Sequence, residues 1–226
     1  MLSLHELEAS DIVANSQMNR ERQLSGPNSY ALDLRFNPLD AMRSYAEAGK
    51  SVRWLDLCCG TGKAIMDAAK IVRQEVLSIE IVGVDLVPMF DPGGTDLPSL
   101  TLVAASLHHW EPDDPFDLIT CVHGLHYVGD KLGLLQRAAR WLKPGGRFVG
   151  HLDMNNVQCI NRQSIGREVA AVIRQAGGSY SSKSRLLEVA VSPLLCFPFA
   201  YLGANDHAGP NYIGQPAVDS VYKRIS

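Results

Sequence analysis

The sequence predicts a doubly wound α/β fold: a mostly parallel, seven-stranded sheet with one antiparallel edge strand. Three observations carry that reading. From about residue 50 onward, short apolar runs alternate with stretches of helical periodicity. The segments are punctuated by Gly- and Pro-containing turns. Strands separated by helices need crossover connections, which cover both faces of a parallel sheet.

With 226 residues, the chain has room for one sizeable domain and is short for two. The segments divide into a helical lead-in (1–48), a sheet core (50–203) and a tail (204–226). Hydrophobic residues at 46% and charged residues at 20% fit a soluble globular protein. The formal net charge of -3 and the lack of like-charge runs weigh against a general nucleic-acid binder. No apolar run approaches ~18 residues, so no transmembrane helix is expected. The acidic start Met1–Val13 lacks the basic region of a secretory signal. The five cysteines form no CxxC pair, which points to free thiols in a reducing cytoplasm and to no metal site.

The lead-in breaks at Ser25-Gly26-Pro27-Asn28 and again at Asn37-Pro38, and a helix follows over 39–48, with Gly49 as its stop. The first strand is 52–57. The next helix runs from Lys63 to about Gln74, with Ile65, Met66, Ala69 and Val72 at helical spacing. Strands follow at 79–85, 100–104 and 116–122. An amphipathic helix over 131–142 stops at Lys143-Pro144-Gly145-Gly146. Strand 147–152, a helix over 162–175 and two final strands, 184–191 and 194–201, complete the pattern.

The chemistry concentrates at the first strand and its turn, Asp56-Leu57-Cys58-Cys59-Gly60-Thr61-Gly62. In a doubly wound sheet, ligands bind beyond the carboxyl ends of the strands, where strand order reverses. Glycines there let backbone approach the ligand, and the helix that follows offers unpaired N–H groups. Asp85, closing the second strand, is placed to accept both hydroxyl hydrogens of a ribose. Together these features indicate an adenosine-containing cofactor. Lys63-Ala64-Ile65 follows Gly62, so the third glycine of a dinucleotide fingerprint is absent, and no Walker-type phosphate loop is present.

The run Asp56–Gly62 resembles the first motif of class I S-adenosylmethionine-dependent methyltransferases. The similarity continues through Gly83-Val84-Asp85, the turn Phe116–His126 and the helix-to-strand turn Leu142–Phe148, in order, over about residues 50–155. It implies a Rossmann-like fold in which residues 1–48 form a helical lid, and it implies S-adenosylmethionine as cofactor. The residues that would hold it are Tyr30, Asp56, Cys58, Gly60, Gly62, Asp85, Leu86, Ser106, Leu107 and His123. Tyr30 would face the sulfonium, where an aromatic ring favours a cation. Arg20 or Arg22 would pair with a carboxylate of cofactor or substrate.

Three positions depart from the family pattern. Cys58 stands where glycine is common, and Ser106 stands where an acid usually sits beside the adenine. A loop over 88–98 replaces the usual helix, with Met89 and Phe90 as a candidate apolar wall. Trp110 reads either as a stacking wall or as core, and His151 as a structural histidine.

Methyl transfer needs the nucleophile held in line, water excluded and, for a weakly acidic acceptor, a base. His123 and His126 share a face of the turn after the fourth strand and are the candidate catalytic residues. The resulting expectation is methyl transfer to an N, O or C atom of a small molecule of biosynthetic or secondary-metabolite type, with no membrane partner. A nucleic-acid methyltransferase and a non-catalytic S-adenosylmethionine-binding partner are the competing readings. A homodimer is compatible with either.

Overall fold

The computed structural model describes residues 1–14, 22–47, 51–94, 96–161, 163–212 and 214–225. Arg20, Gly49 and Arg162 of the sequence reading lie outside the described residues. The amino-terminal part supplies α1 (Leu4–Glu8), α2 (Asp11–Ala14), α3 (Tyr30–Leu34) and α4 (Pro38–Glu47). The alternating part runs β1 (Val52–Leu57), α5 (Lys63–Glu75), β2 (Ile79–Asp85), β3 (Leu100–Ala104), β4 (Phe116–Cys121), α6 (Lys131–Arg140) and β5 (Leu142–His151). Then come β6 (Val157–Cys159), α7 (Gly166–Gln175), β7 (Ser179–Tyr180), β8 (Leu186–Ala190), β9 (Phe199–Asn205) and β10 (Asp219–Arg224).

Seven strands form one sheet in the order β3-β2-β1-β4-β5-β8-β7. Strands β1 to β5 pair in parallel, and β8 runs antiparallel to β5 and β7. The predicted fold class is borne out. The chain order reverses between β1 and β4, so the ligand-binding crevice of such a sheet falls beyond the ends of these two strands.

The final strand is a correction. Residues 194–201 do not join this sheet, whose edge is β7 instead. Pro193 and Pro198 lack the N–H groups a sheet strand must donate. Beyond Pro198, β9 pairs antiparallel with β10, and β10 pairs with β6, making a separate three-stranded sheet. The segment read as a tail therefore supplies a strand. A smaller difference lies in β5, which begins at Leu142; the register against β4 shifts between Phe116 and Leu118, so Lys143–Gly146 bulge without ending the strand.

Helix α5 buries Ala64, Ile65, Met66, Ala68, Ala69 and Val72 on one face. A Cβ on Gly83 of β2 would lie 2.3 Å from Ile65 Cδ1, so glycine sets how closely α5 approaches the sheet. On another part of the core, α6 buries Leu132, Leu134, Leu135, Ala138 and Ala139. The first residue of α6 is a fully buried lysine. Lys131 Nζ donates to the carbonyls of Val128 (2.8 Å) and Val218 (2.7 Å) and to Ser220 Oγ (2.9 Å). Its three donors join the turn after β4 to β10, although burial pushes its pKa down to about 7. Lys131→Met removes these donors and leaves two carbonyls without them. A loss of about 1–3 kcal/mol is expected, read as a lower urea midpoint.

Candidate functional site

The turn after β1 is held in an unusual backbone shape. Cys58 (φ 57°), Gly60 (φ 62°) and Gly62 (φ 80°) all adopt the left-handed conformation. Cys58 does so with a side chain, at a cost of about 1–2 kcal/mol relative to glycine. The turn packs tightly on the next one: a Cβ on Gly124 would sit 2.2 Å from Cys58 Cβ. Asp85 fixes the turn from the other side. Its Oδ2 accepts from Gly60 N–H at 2.8 Å and its Oδ1 from Val87 N–H at 3.1 Å. The carboxylate is thus oriented before any ligand arrives.

These turns open onto a cavity of about 960 Å³, counting its open mouth. Of the residues predicted to bind cofactor, Tyr30, Cys58, Gly60, Asp85, Leu86, Leu107 and His123 line it. Asp56, Gly62 and Ser106 do not. Gly62 caps α5 behind the wall, and Ser106 stands one residue before Leu107, its hydroxyl bonded to Glu8 Oε1. Met89 is exposed, Phe90 packs on the core, and neither lines the cavity. Trp110 lies edge-on to Trp141 at 5.6 Å and takes its core reading.

Asp56 lies below the cavity floor, fully buried. Tyr30 O–H donates to its Oδ2 at 2.7 Å and Thr120 Oγ1 to its Oδ1 at 2.5 Å. Trp54 Nε1 donates to the same threonine oxygen at 2.8 Å. Burial raises the Asp56 carboxyl to about 7 against the pull of the two hydroxyl donors, with the charge of Asp85 adding to the rise. Tyr30 therefore lines the cavity with its ring while its hydroxyl serves the floor.

His123 is the predicted catalytic residue that reaches the cavity. It takes a left-handed backbone (φ 58°) directly after β4. Its Nε2 lies 3.5 Å from Asp33 Oδ2, and its Nδ1 lies 3.2 Å from the Tyr212 hydroxyl. Asp33 also pairs with Arg22 Nε at 2.5 Å, so this arginine meets a protein carboxylate. Burial raises the Asp33 carboxyl, but the hydrogen bond and charge of His123, followed by those of Arg22, hold it below its ordinary value. Burial keeps the Tyr212 phenol protonated by raising its pKa.

His126, the second candidate, stands apart from the cavity. Its ring lies 5.9 Å from that of His123, but it is fully buried and absent from the cavity wall. Neither ring nitrogen has a hydrogen-bond partner among the described residues. Burial, then the charge of His123, pushes its pKa down to about 2. Such a ring stays neutral near neutral pH. His151, read as structural, stacks on His123 at 4.0 Å and is pushed down to about 3, again first by burial.

Sequence reasoning missed Glu8 and Asp33 as site residues, and it left the polar, Gly-rich stretch ending at Tyr212 open between substrate contact and surface loop. Asp33 had a signal: it follows Tyr30 at helical spacing on α3, whose N-cap is Ser29. Glu8 had none, because its place depends on how the amino-terminal end of the chain folds back.

A family model described as a methyltransferase domain matches residues 20–188. The chain belongs to that family. Among curated relatives, a ubiquinone/menaquinone biosynthesis C-methyltransferase of Geobacter sulfurreducens is 35% identical over 116 residues, covering 45% of this chain and 44% of the relative. A 2-phytyl-1,4-naphtoquinone methyltransferase of Synechococcus elongatus is 33% identical over 112 residues, or 46% of each. The chain spans about half the length of the curated relatives it matches. Among solved structures, the sugar N-methyltransferase KedS8 from Streptoalloteichus matches at 22% identity and a TM-score of 0.38, over 52% of this chain and 48% of that one.

Tyr30→Phe strips a donor from the buried Asp56 carboxylate and should cost about 1–3 kcal/mol of stability. Since Asp56 ionises near 7, the ionised form that needs the donor prevails above that pH. Denaturant melts should show a larger loss at pH 8 than at pH 5.5.

Proposed function

We propose that the chain transfers a methyl group from S-adenosylmethionine to a small-molecule acceptor. The observation that carries the reading is the cavity at the switch point between β1 and β4, with its left-handed glycine turn and pre-oriented Asp85, in a chain of the methyltransferase-domain family. The residues present fit this cofactor. Asp85 presents a pre-oriented carboxylate where a ribose diol would lie, the Cys58–Gly60 backbone suits the amino-acid end, and Leu86 and Leu107 offer apolar walls to a base. Residues 1–48 act as a lid over a core spanning 50–203.

When bound, the cofactor supplies an electrophilic methyl carbon to an in-line nucleophile. The chain's part is to hold the two in line, exclude water and take a proton. Asp33 accepts the Nε2 proton of His123, which leaves the Nδ1 lone pair as the base. In this structure the Tyr212 hydroxyl lies 3.2 Å from Nδ1, and in the reaction an acceptor O–H or N–H takes the place of the phenol. Beyond Tyr212 lies a cleft lined by Asp153, Asn155, Asn156, Gln158, Asn211 and Asp219. Such a polar lining suits an acceptor that carries hydrogen-bonding groups. Among the described residues no helix is long and apolar enough to cross a membrane. A reducing, cytoplasmic setting is part of the proposal and accords with five free cysteines.

Isothermal titration should show S-adenosylmethionine binding and no NAD binding. Asp85→Ala should weaken S-adenosylmethionine by about tenfold or more, since the ribose loses a bidentate partner. Binding of NAD instead, or an indifferent variant, sinks the reading. In a panel of amines, phenols and quinols, any acceptor that releases S-adenosylhomocysteine should do so about 10²–10⁴-fold more slowly with His123→Gln.

A further inference from the structure

Ser106 and Glu8 stand 98 residues apart in the chain and share a hydrogen bond at the wall of the cavity. The Ser106 hydroxyl has one proton, and its direction is fixed. Its oxygen accepts from His108 N–H at 3.2 Å, and its O–H donates to Glu8 Oε1. No hydrogen bond reaches the other carboxylate oxygen of Glu8 among the described residues. Glu8 lines the cavity between Leu7 on its own helix and Leu107 and His108 after β3.

Topology places this carboxylate relative to the cofactor. Asp85 closes β2, its register partner on β3 is Ala104, and Ala105 N–H donates to the Asp85 carbonyl at 2.9 Å. Ser106 therefore lies one strand outward from the ribose acid and just past the strand end. A base attached to a ribose held by Asp85 extends toward that side, between the apolar side chains of Leu86 and Leu107. Adenine carries an exocyclic amine, a donor. Hypoxanthine carries a carbonyl at the same position, an acceptor that a carboxylate repels.

We propose that Glu8, held by Ser106, accepts a hydrogen bond from the exocyclic amine of the cofactor's adenine, so that the first helix of the chain selects the base. This rests on the cofactor reading above. It assigns the acidic partner of the base to the amino-terminal segment and makes closure of that segment part of cofactor recognition. Helix α1 is set for this by its own bonds: Ser3 and Glu6 cap it reciprocally, and Leu2 pairs with Ala204 on β9.

The test compares S-adenosylhomocysteine with S-inosylhomocysteine, which differ in the group on C6 and in the proton that the carbonyl form carries on N1, by isothermal titration. Wild type should prefer the adenine ligand by about tenfold or more. Glu8→Gln, whose amide both donates and accepts, should bring that preference close to unity. Asp85→Asn should weaken both ligands and leave the preference intact. Ser106→Ala should reduce it only in part, as befits a positioning residue. A Glu8→Gln protein that melts like wild type and keeps the full preference overturns the proposal, as does a wild type that binds both ligands equally. If wild type binds neither ligand, the cofactor reading falls and takes this inference with it. Retained binding with an unchanged preference defeats the Glu8 assignment alone.

Discussion

The carboxylate of Asp56 organises the site from beneath. It lies inside β1 and does not line the candidate cavity, yet three separate parts of the chain meet on it: β1, which carries it, β4 through Thr120, and the amino-terminal α3 through Tyr30. An ionised carboxylate buried without donors would cost several kcal/mol. The constraint therefore works in both directions. Asp56 needs the two hydroxyls, and the two hydroxyls fix where β4 and α3 sit. Tyr30 in its fixed place forms one wall of the cavity. Asp33, on the same short helix, then lies within reach of His123 at the end of β4. Both halves of the site inherit their spacing from one buried acid.

The turn above it depends on a second constraint, close backbone approach. Cys58 and His123 both hold left-handed backbone conformations, an uncommon state for residues with side chains. Each begins the turn after a central strand, and the turns touch where Gly124 leaves no room for a Cβ beside Cys58. Strain of this kind persists where the surroundings over-determine it. Here the surroundings are the parallel pairing of β1 with β4 below and the bond from Gly60 to Asp85 above. The result is a cofactor turn whose shape does not wait for a ligand.

Local chemistry made much of this legible in the sequence. Strands 52–57, 79–85 and 100–104 were readable because each is a short apolar run between turn formers, and the structure keeps those bounds. Asp85 and the glycine turn were readable because their roles follow from their places at strand ends. The legibility ended where long-range return decides the outcome. Pro193 and Pro198 speak against a sheet strand over 194–201, but nothing local signals that β9 pairs with β10 instead. The equal look of His123 and His126 likewise hides a difference that burial creates. Glu8 is an ordinary helical glutamate until the chain brings Ser106 beside it.

That burial difference has a consequence for the chemistry. Three histidine rings gather at the ends of β4 and β5, and two of them stay neutral because desolvation penalises their charged forms. Two protonated neighbours would make proton uptake by His123 costly. Neutral, they form a polarisable wall, and Asp33 supplies the countercharge. Arg22 opposes that help, since it shares the Asp33 carboxylate and brings its own positive charge. Asp33 faces the imidazole at Nε2 and leaves Nδ1 turned toward Tyr212 and the polar cleft behind it. In the proposed reaction a proton reaching Nδ1 comes from the acceptor's side, and the Asp33 carboxylate stands across the ring from it.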